Sequence, residues 1–90
     1  MTVTIKIPAL WRPITRTCYV SVEANTVNQA LQELIGCYPP LKTQLFNAQQ
    51  EVNDAIHLFV NNEAIRFRGG SDAVLQDGDE IYIVPMISGG

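Results

Sequence analysis

The sequence is poor in the side chains on which enzyme chemistry depends. Among 90 residues it has one histidine, His57, and two cysteines, Cys18 and Cys37, without C-x-x-C spacing. This spacing gives no support to a zinc ribbon, a redox dithiol or a plant-type iron–sulfur cluster. No G-x-S-x-G, H-E-x-x-H or P-loop motif is present. We therefore predict no catalytic residue and no metal ligand. We interpret His57 as a surface or hydrogen-bonded side chain, and the cysteines as small core or edge residues rather than a disulfide.

Long apolar runs and a basic surface are also missing. No run approaches the roughly 20 apolar residues that cross a bilayer, and the N-terminus lacks the basic region and apolar stretch of a signal peptide. The net charge is −3, whereas nucleic-acid binding requires a basic face that neutralises phosphates. We therefore expect a soluble, cytoplasmic protein that binds neither membranes nor nucleic acid.

Positive charge is absent from the end of the chain. All six basic residues precede position 69, and the acids Asp72, Asp77, Asp79 and Glu80 follow it. One interpretation is that these acids form turns and keep the protein soluble. The other is that Asp77, Asp79 and Glu80 dock on a basic partner surface. The sequence leaves both open.

The sequence does contain regular strand and helix patterns in its first half. Residues 2–7 alternate between polar and apolar side chains, which predicts a strand ended by Pro8, and residues 18–22 predict a second one. Residues 12–15 are predicted to be their connection. Residues 26–29, Thr-Val-Asn-Gln, have the form of a capping box, and an apolar stripe predicts a helix that ends at Gly36. A short second helix is predicted from Pro40 to Phe46.

The second half predicts further strands. Residues 56–60 form a strand pattern, followed by an Asn-Asn turn and a return partner over residues 64–67. Asp77-Gly78 is typical of a tight turn, and residues 80–84 predict the last strand, closed by Pro85. The order is thus ββαββ with one principal helix. This order predicts an α+β fold of the β-grasp type, with a mixed sheet of four to five strands on one main helix. We expect a domain over residues 1–85 and a flexible tail over residues 86–90.

The same alternation predicts which side chains leave the core. If Ile81 and Ile83 face the helix, then Phe59, Tyr82 and Val84 point outward near the base of the tail. Exposed aromatic and aliphatic side chains on a sheet face suggest partner docking. The alternative is that loops or the segment around Trp11 cover them.

The chain ends in a bare diglycine, Gly89-Gly90. Without Cβ atoms, these residues together with Ser88 are suited to thread through a channel too narrow for side chains, so that the carboxylate reaches into another protein's active site. The alternative is a frayed linker.

The acidic turn Asp77-Gly78-Asp79-Glu80, the strand and proline that follow it, and the diglycine at this spacing resemble the MoaD/ThiS-type sulfur carriers, which are ubiquitin-like β-grasp proteins. Two further segments, Ile7-Pro8-Ala9-Leu10 with Arg12-Pro13 and residues 60–63 with 66–70, resemble the carriers of a cysteine-biosynthesis pathway of actinobacteria. The family's terminal glycine falls on Gly90.

This resemblance implies a carrier rather than an enzyme. An E1-like adenylating and sulfurtransferase enzyme would use ATP to activate the Gly90 carboxylate, and a sulfur donor would convert it to a thiocarboxylate. The acceptor would be a PLP-dependent cysteine synthase or the large subunit of molybdopterin synthase, of which this chain would then be the small subunit. Three alternatives stay open: a thiamine sulfur carrier, a ubiquitin-like modifier conjugated to lysines through Gly90, and a plain β-grasp binding module.

Overall fold

The computed structural model describes residues 1–53, 55–67 and 69–85. Its strands are β1 (Thr2–Lys6), β2 (Tyr19–Glu23), β3 (Ile56–Val60), β4 (Glu63–Ala64) and β5 (Glu80–Pro85). Its α-helices are α1 (Arg12–Thr15), α2 (Val27–Cys37) and α3 (Lys42–Leu45). Short 3₁₀ turns cover Ala9–Trp11, Pro39–Leu41, Ile65–Phe67 and Gly70–Asp72.

The five strands form one mixed sheet in the order β2-β1-β5-β3-β4. The central strands β1 and β5 run parallel, with Thr4 opposite Glu80 and Lys6 opposite Tyr82. The other neighbouring strands pair antiparallel. The predicted β-grasp architecture is confirmed, but the order is ββαβββ rather than ββαββ, since β4 is a separate strand.

The core lies between one face of the sheet and α2. Alternate residues of the strands point into it, as the sequence pattern predicts, and α2 contributes its apolar stripe. Fully burying one such aliphatic side chain contributes about 1.5–3 kcal/mol. The buried residues of these elements are Val3, Ile5, Val22, Val27, Ala30, Leu31, Leu34, Ile56, Leu58, Val60, Ile81 and Ile83.

The start of α2 uses the predicted capping residues in a modified way. Thr26 Oγ1 accepts a hydrogen bond from the Gln29 N–H at 3.2 Å, as in a capping box. The side chain of Gln29, however, accepts from the N–H of Asn25 at 2.7 Å, one residue before the cap. The box therefore also fixes the approach of the chain from β2.

The end of α2 differs from the prediction. The helix continues through Gly36 to Cys37, and the Tyr38 N–H still donates to Leu34 O at 2.9 Å. A glycine costs a helix interior only about 1 kcal/mol relative to alanine. The stop comes from Pro39, which has no N–H to donate.

Residues 12–15 lie in the connection between β1 and β2, as predicted, and form α1 with Pro13 in its first turn, where a missing N–H is harmless. Two other predictions need correction. The return partner of β3 has two paired residues, and residues 65–67 form a 3₁₀ turn because Ile65 packs against the core. Cys18 and Cys37 are both exposed, not buried, and both are free thiols.

The short helix predicted between residues 40 and 46 is confirmed as a 3₁₀ turn followed by α3. No helix in the described ranges is long and apolar enough to span a bilayer.

Candidate docking face and C-terminal strand

The face of the sheet opposite α2 carries one row of side chains across four strands. Tyr19 on β2 pairs with Lys6 on β1, Lys6 with Tyr82 on β5, and Tyr82 with Phe59 on β3. Residues in such register lie side by side on the same face. Tyr19 is 53% exposed, and Phe59 and Tyr82 are half-buried. We call these four residues the outer row.

Two charged side chains, Lys6 and Glu80, contact Tyr82 in the outer row. The Lys6 Nζ lies 5.6 Å from the centroid of the Tyr82 ring, which is cation–π distance. The Tyr82 hydroxyl donates to Glu80 Oε2 at 2.8 Å. This hydrogen bond, which stabilises the protonated phenol, is the main cause that raises the pKa of Tyr82 above its ordinary value; burial and the Glu80 charge add to it.

A shallow apolar cavity of about 320 Å³ lies on the same face. It is lined by Phe59, Tyr82 and Val84 with the amides of Asn61 and Asn62. Val84 is 42% exposed. The predicted outward orientation of Phe59, Tyr82 and Val84 is therefore confirmed. The Trp11 side chain itself is buried in the core cluster, to which these three residues do not belong. Their contact with a partner stays a prediction.

Asp77 and Gly78 tie the last turn to the start of β1. The Asp77 carboxylate accepts from the Thr2 N–H at 2.9 Å, and the Gly78 N–H donates to Thr2 O at 2.8 Å. Gly78 has a φ of +89°, a conformation that side chains other than glycine adopt with strain. These bonds hold β5 in parallel register with β1.

Asp79 and Glu80 tie the same turn to the end of β3 through Asn61. Asp79 Oδ1 accepts from the Asn61 amide at 3.2 Å, and Asp79 Oδ2 accepts from the Gln76 N–H at 2.9 Å. The Asn61 side-chain oxygen accepts in turn from the Glu80 N–H at 3.1 Å. The interpretation of Asp77 and Asp79 as turn-forming residues is thus confirmed, whereas the Glu80 carboxylate accepts from Tyr82 within β5. Their docking on a basic partner surface stays a prediction.

The role of Asn61 is not predicted by any pattern in the sequence. An Asn-Asn pair predicts a turn locally, and the positive φ of Asn61, 56°, agrees with that. Its side-chain hydrogen bonds to Asp79 and Glu80, 18 and 19 positions ahead, cannot be predicted from the neighbouring residues.

The C-terminal tail starts from the middle of the sheet. β5 ends at Pro85, and the predicted threading residues Ser88, Gly89 and Gly90 lie outside the described residues. Five residues in extended conformation reach about 17 Å at most. Any active site that receives Gly90 must therefore open close to the end of β5.

His57 lies on β3 opposite Val84, exposed to solvent, as predicted for a surface residue. In the part of the chain that the structure describes, no group of three or more His, Cys, Asp or Glu side chains could hold a metal ion.

Known proteins resemble the chain along nearly its whole length. The family model of the ThiS family matches residues 5–90. The sulfur carrier protein CysO of Mycobacterium tuberculosis is 30% identical over 93 residues, which cover 100% of both chains. Small archaeal modifier protein 1 of Haloferax volcanii is 36% identical over 76 residues, covering 83% of each. A chain in the crystal structure of the Amycolatopsis orientalis BexX/CysO complex superposes with a TM-score of 0.88 at 30% identity, covering 98% of this chain and 99% of that one.

Proposed function

The chain belongs to the ThiS family of sulfur carriers and ubiquitin-like modifiers, and from that premise we propose that it carries sulfur as a thiocarboxylate on Gly90. One observation supports this most: the family match runs to the terminal glycine itself. Glycine at both last positions leaves the carboxylate unobstructed.

The chemistry resides in the partner enzymes. An E1-like enzyme binds ATP, and the Gly90 carboxylate attacks its α-phosphate, releasing pyrophosphate and forming an acyl adenylate. A hydrosulfide equivalent from a sulfur donor then displaces AMP at the carbonyl carbon, leaving the thiocarboxylate. The chain itself supplies the tail and a docking face, and no catalytic group, so it acts as a co-substrate rather than an enzyme.

The docking face in this proposal is the outer row together with Val84. Val84 precedes the last residue of β5 and is 42% exposed, Tyr19 is 53% exposed, and Phe59 and Tyr82 are half-buried. Aromatic side chains with a polar atom are typical of interface anchors. That a relative from Amycolatopsis is found in a BexX/CysO complex supports a carrier that works while bound to partner proteins.

Cysteine biosynthesis is the acceptor pathway we favour, because full-length relatives at 30% identity are CysO sulfur carriers. In that pathway the thiocarboxylate sulfur of Gly90 adds to the Cβ of an aminoacrylate held by a PLP-dependent synthase. The amine of the new thioester attacks the Gly90 carbonyl, the C–S bond breaks, and a peptide-linked cysteine remains for a metalloprotease to release. The alternatives are molybdopterin synthase, with its large subunit as acceptor, and thiamine synthesis.

Protein conjugation is a second candidate function. The relative with 36% identity is a small archaeal modifier protein, and the same adenylated Gly90 would react with a lysine amine to form an isopeptide bond and release AMP. Intact-mass analysis of the protein from its native host separates the candidates. One oxygen-to-sulfur exchange supports the carrier, high-mass conjugates support the modifier, and neither product would indicate a plain binding module.

Deletion of Gly90 tests the attachment point. We expect the deletion variant to keep its fold, because Gly90 follows the last strand, but to accept no sulfur from the activating enzyme. A bulky residue in place of Gly89 should have the same effect by blocking the channel. The control is Val74→Ala, an exposed residue beside the start of α2 (68% exposed), which should load normally. Full loading of the Gly90 deletion would contradict the mechanism.

A further inference from the structure

We propose that the edge of the sheet beside β3 is a second docking site, which binds an extended, acidic segment of the activating enzyme. The segment would pair with the uncovered side of residues 56–58 and place a carboxylate on Arg66. This inference rests on the proposed function for the identity of the partner, because it assumes an enzyme that binds the chain in order to adenylate Gly90. It adds a contact outside the outer row and the chemistry of the partner segment.

β4 covers only part of the outer edge of β3. Its pairing stops at Phe59, so that no described strand lies beside residues 56–58 on that side. In antiparallel pairs, successive residues direct their backbone groups alternately to the two sides of the strand. Since the Asn61 N–H donates to Glu80 O on β5, the Leu58 N–H points away from β5, toward the uncovered side. Such an edge is a template for the backbone of another extended segment.

A cavity of about 240 Å³ lies along the same edge. It is bordered by β3, by β4 and by the 3₁₀ turn that follows β4. Five of the side chains that line it are aliphatic, namely Val52, Ile56, Leu58, Ala64 and Ile65. The cavity therefore offers room for an apolar side chain of a segment that pairs with β3.

The basic side chains at this cavity define the charge of the segment. Arg66 and His57 line the cavity, whereas the neighbouring acids Glu51 and Glu63 do not. The Arg66 guanidinium lies 5.0 Å from the centroid of the Phe67 ring, which is cation–π distance. Among the described residues, no carboxylate forms an ion pair with Arg66. A carboxylate of the partner segment would thus find an unpaired guanidinium, with which it forms charge-assisted hydrogen bonds.

The position of the edge makes it accessible to an enzyme that holds the tail. Phe59 lines both this cavity and the cavity of the docking face. Ile56 lies opposite Pro85, the last residue of β5. A partner seated on the outer row and around the base of the tail therefore also reaches the uncovered residues of β3. Phe67, 72% exposed, adds an aromatic side chain of the kind enriched in interfaces.

The other edge of the sheet, at β2, is partly capped within the chain. The Tyr19 N–H donates to Thr17 Oγ1 at 3.4 Å, and the Thr17 hydroxyl donates to Tyr19 O at 3.1 Å. Such local bonds compete with strand pairing. No described side chain bonds to the backbone of Leu58 in this way. We therefore assign the partner segment to the β3 edge rather than to β2.

Hydrogen–deuterium exchange at single-residue resolution tests the strand pairing. The chain is compared free and in complex with the adenylating enzyme. We expect the Leu58 N–H to exchange about tenfold more slowly in the complex, because it gains a backbone acceptor. The matched control is Ser21, which also faces a sheet edge, since the Ile7 N–H donates to Cys18 O and pairing alternates along β2. Its exchange should not change.

Arg66→Gln tests the contact with a carboxylate. We expect this variant to raise the Kd for the adenylating enzyme about tenfold, because a charge-assisted interaction is lost. Lys42→Gln removes the same charge on the helix side of the molecule, beside Gln32 and Ile35, and should leave the Kd unchanged. Arg66→Lys keeps the charge and should recover part of the affinity. Thermal melts of all three variants exclude loss of folding as the cause.

Two results would overturn the inference while leaving the proposed function in place. One is a Leu58 N–H that exchanges equally fast in the free chain and in the complex, although the enzyme adenylates Gly90. The other is a Kd of Arg66→Gln equal to that of Lys42→Gln. Slow exchange of Leu58 in the free chain that is lost on dilution would also overturn it, since the occupant would then be a second copy of this chain. A wild-type chain that the enzyme neither binds nor adenylates would contradict the proposed function, and this inference with it.

Discussion

At the residue scale, Tyr82 and Asn61 both line the candidate docking face, and both make directional contacts within the fold. Tyr82 stands in the outer row with Lys6 above its ring and Glu80 at its hydroxyl. Asn61 connects the end of β3 to the acidic turn through both atoms of its amide. Neither could be replaced by a side chain of similar size without losing a directional contact.

We predict that Tyr82 ionises above the ordinary pH range of a tyrosine side chain. Because its raised pKa reflects a neutral hydroxyl held by Glu80, the folded state is stabilised below pH about 10, and this contribution is lost as the pH rises through the folded-state value. The difference between the absorbance titrations of the wild type and Tyr82→Phe isolates the ionisation of Tyr82. Glu80→Gln should move that ionisation to lower pH. An unchanged midpoint in Glu80→Gln would contradict the role of the carboxylate.

We predict that Asn61→Ala lowers the free energy of unfolding by about 2–3 kcal/mol. The change removes two side-chain hydrogen bonds, each worth about 1 kcal/mol, and places alanine at a positive φ. Urea unfolding measures the effect. Asn62→Ala is the matched control, since no described hydrogen bond engages its exposed side chain, and it should cost less than about 0.5 kcal/mol. Equal effects of the two substitutions would show that the Asn61 link is unimportant.

At the scale of elements, the parallel pairing of β1 and β5 positions the tail. It places the end of β5 beside the connection that holds Arg12 and Arg16, and it is fixed by the bonds between the acidic turn and residues 2–4. The conformation of Gly78 is therefore coupled to the position of the tail.

Two glycine substitutions are expected to change the stability of the protein in opposite directions. Gly78→Ala should destabilise the protein by about 1–2 kcal/mol, because alanine is strained at φ +89° although nothing crowds the site. Gly36→Ala should stabilise it by about 0.5–1 kcal/mol, because Gly36 is helical and its surroundings are equally open. Thermal unfolding measures both. Stabilisation by Gly78→Ala would contradict the strained turn described above.

Sequence patterns predict the features that depend on near neighbours. Alternation places Phe59, Tyr82 and Val84 on the outer face, because a two-residue period is a local property. Patterns cannot show that Asn61 bonds Asp79, since that contact joins distant segments. They also place the end of α2 at Gly36, because proline and glycine give competing stop signals and the sequence does not rank them. That β1 and β5 finish at the same end of the sheet became visible only with the strand register.

At the scale of the whole molecule, the sheet sets the place from which the last five residues start. The core fixes the sheet, and the outer row lies on the exposed face of the strand that leads into the tail. Such an arrangement would let several enzymes take the same tail in turn, with specificity set by docking rather than by a catalytic group.

The most direct measurement of the central claim is the intact mass of the chain after incubation with its activating enzyme, ATP and a sulfur donor. The account predicts a mass gain equal to the exchange of one oxygen for sulfur, located by fragmentation at Gly90, and no gain when ATP is omitted or Gly90 is deleted. An unchanged mass under complete conditions, or sulfur found on Cys18 or Cys37 instead of Gly90, would contradict it.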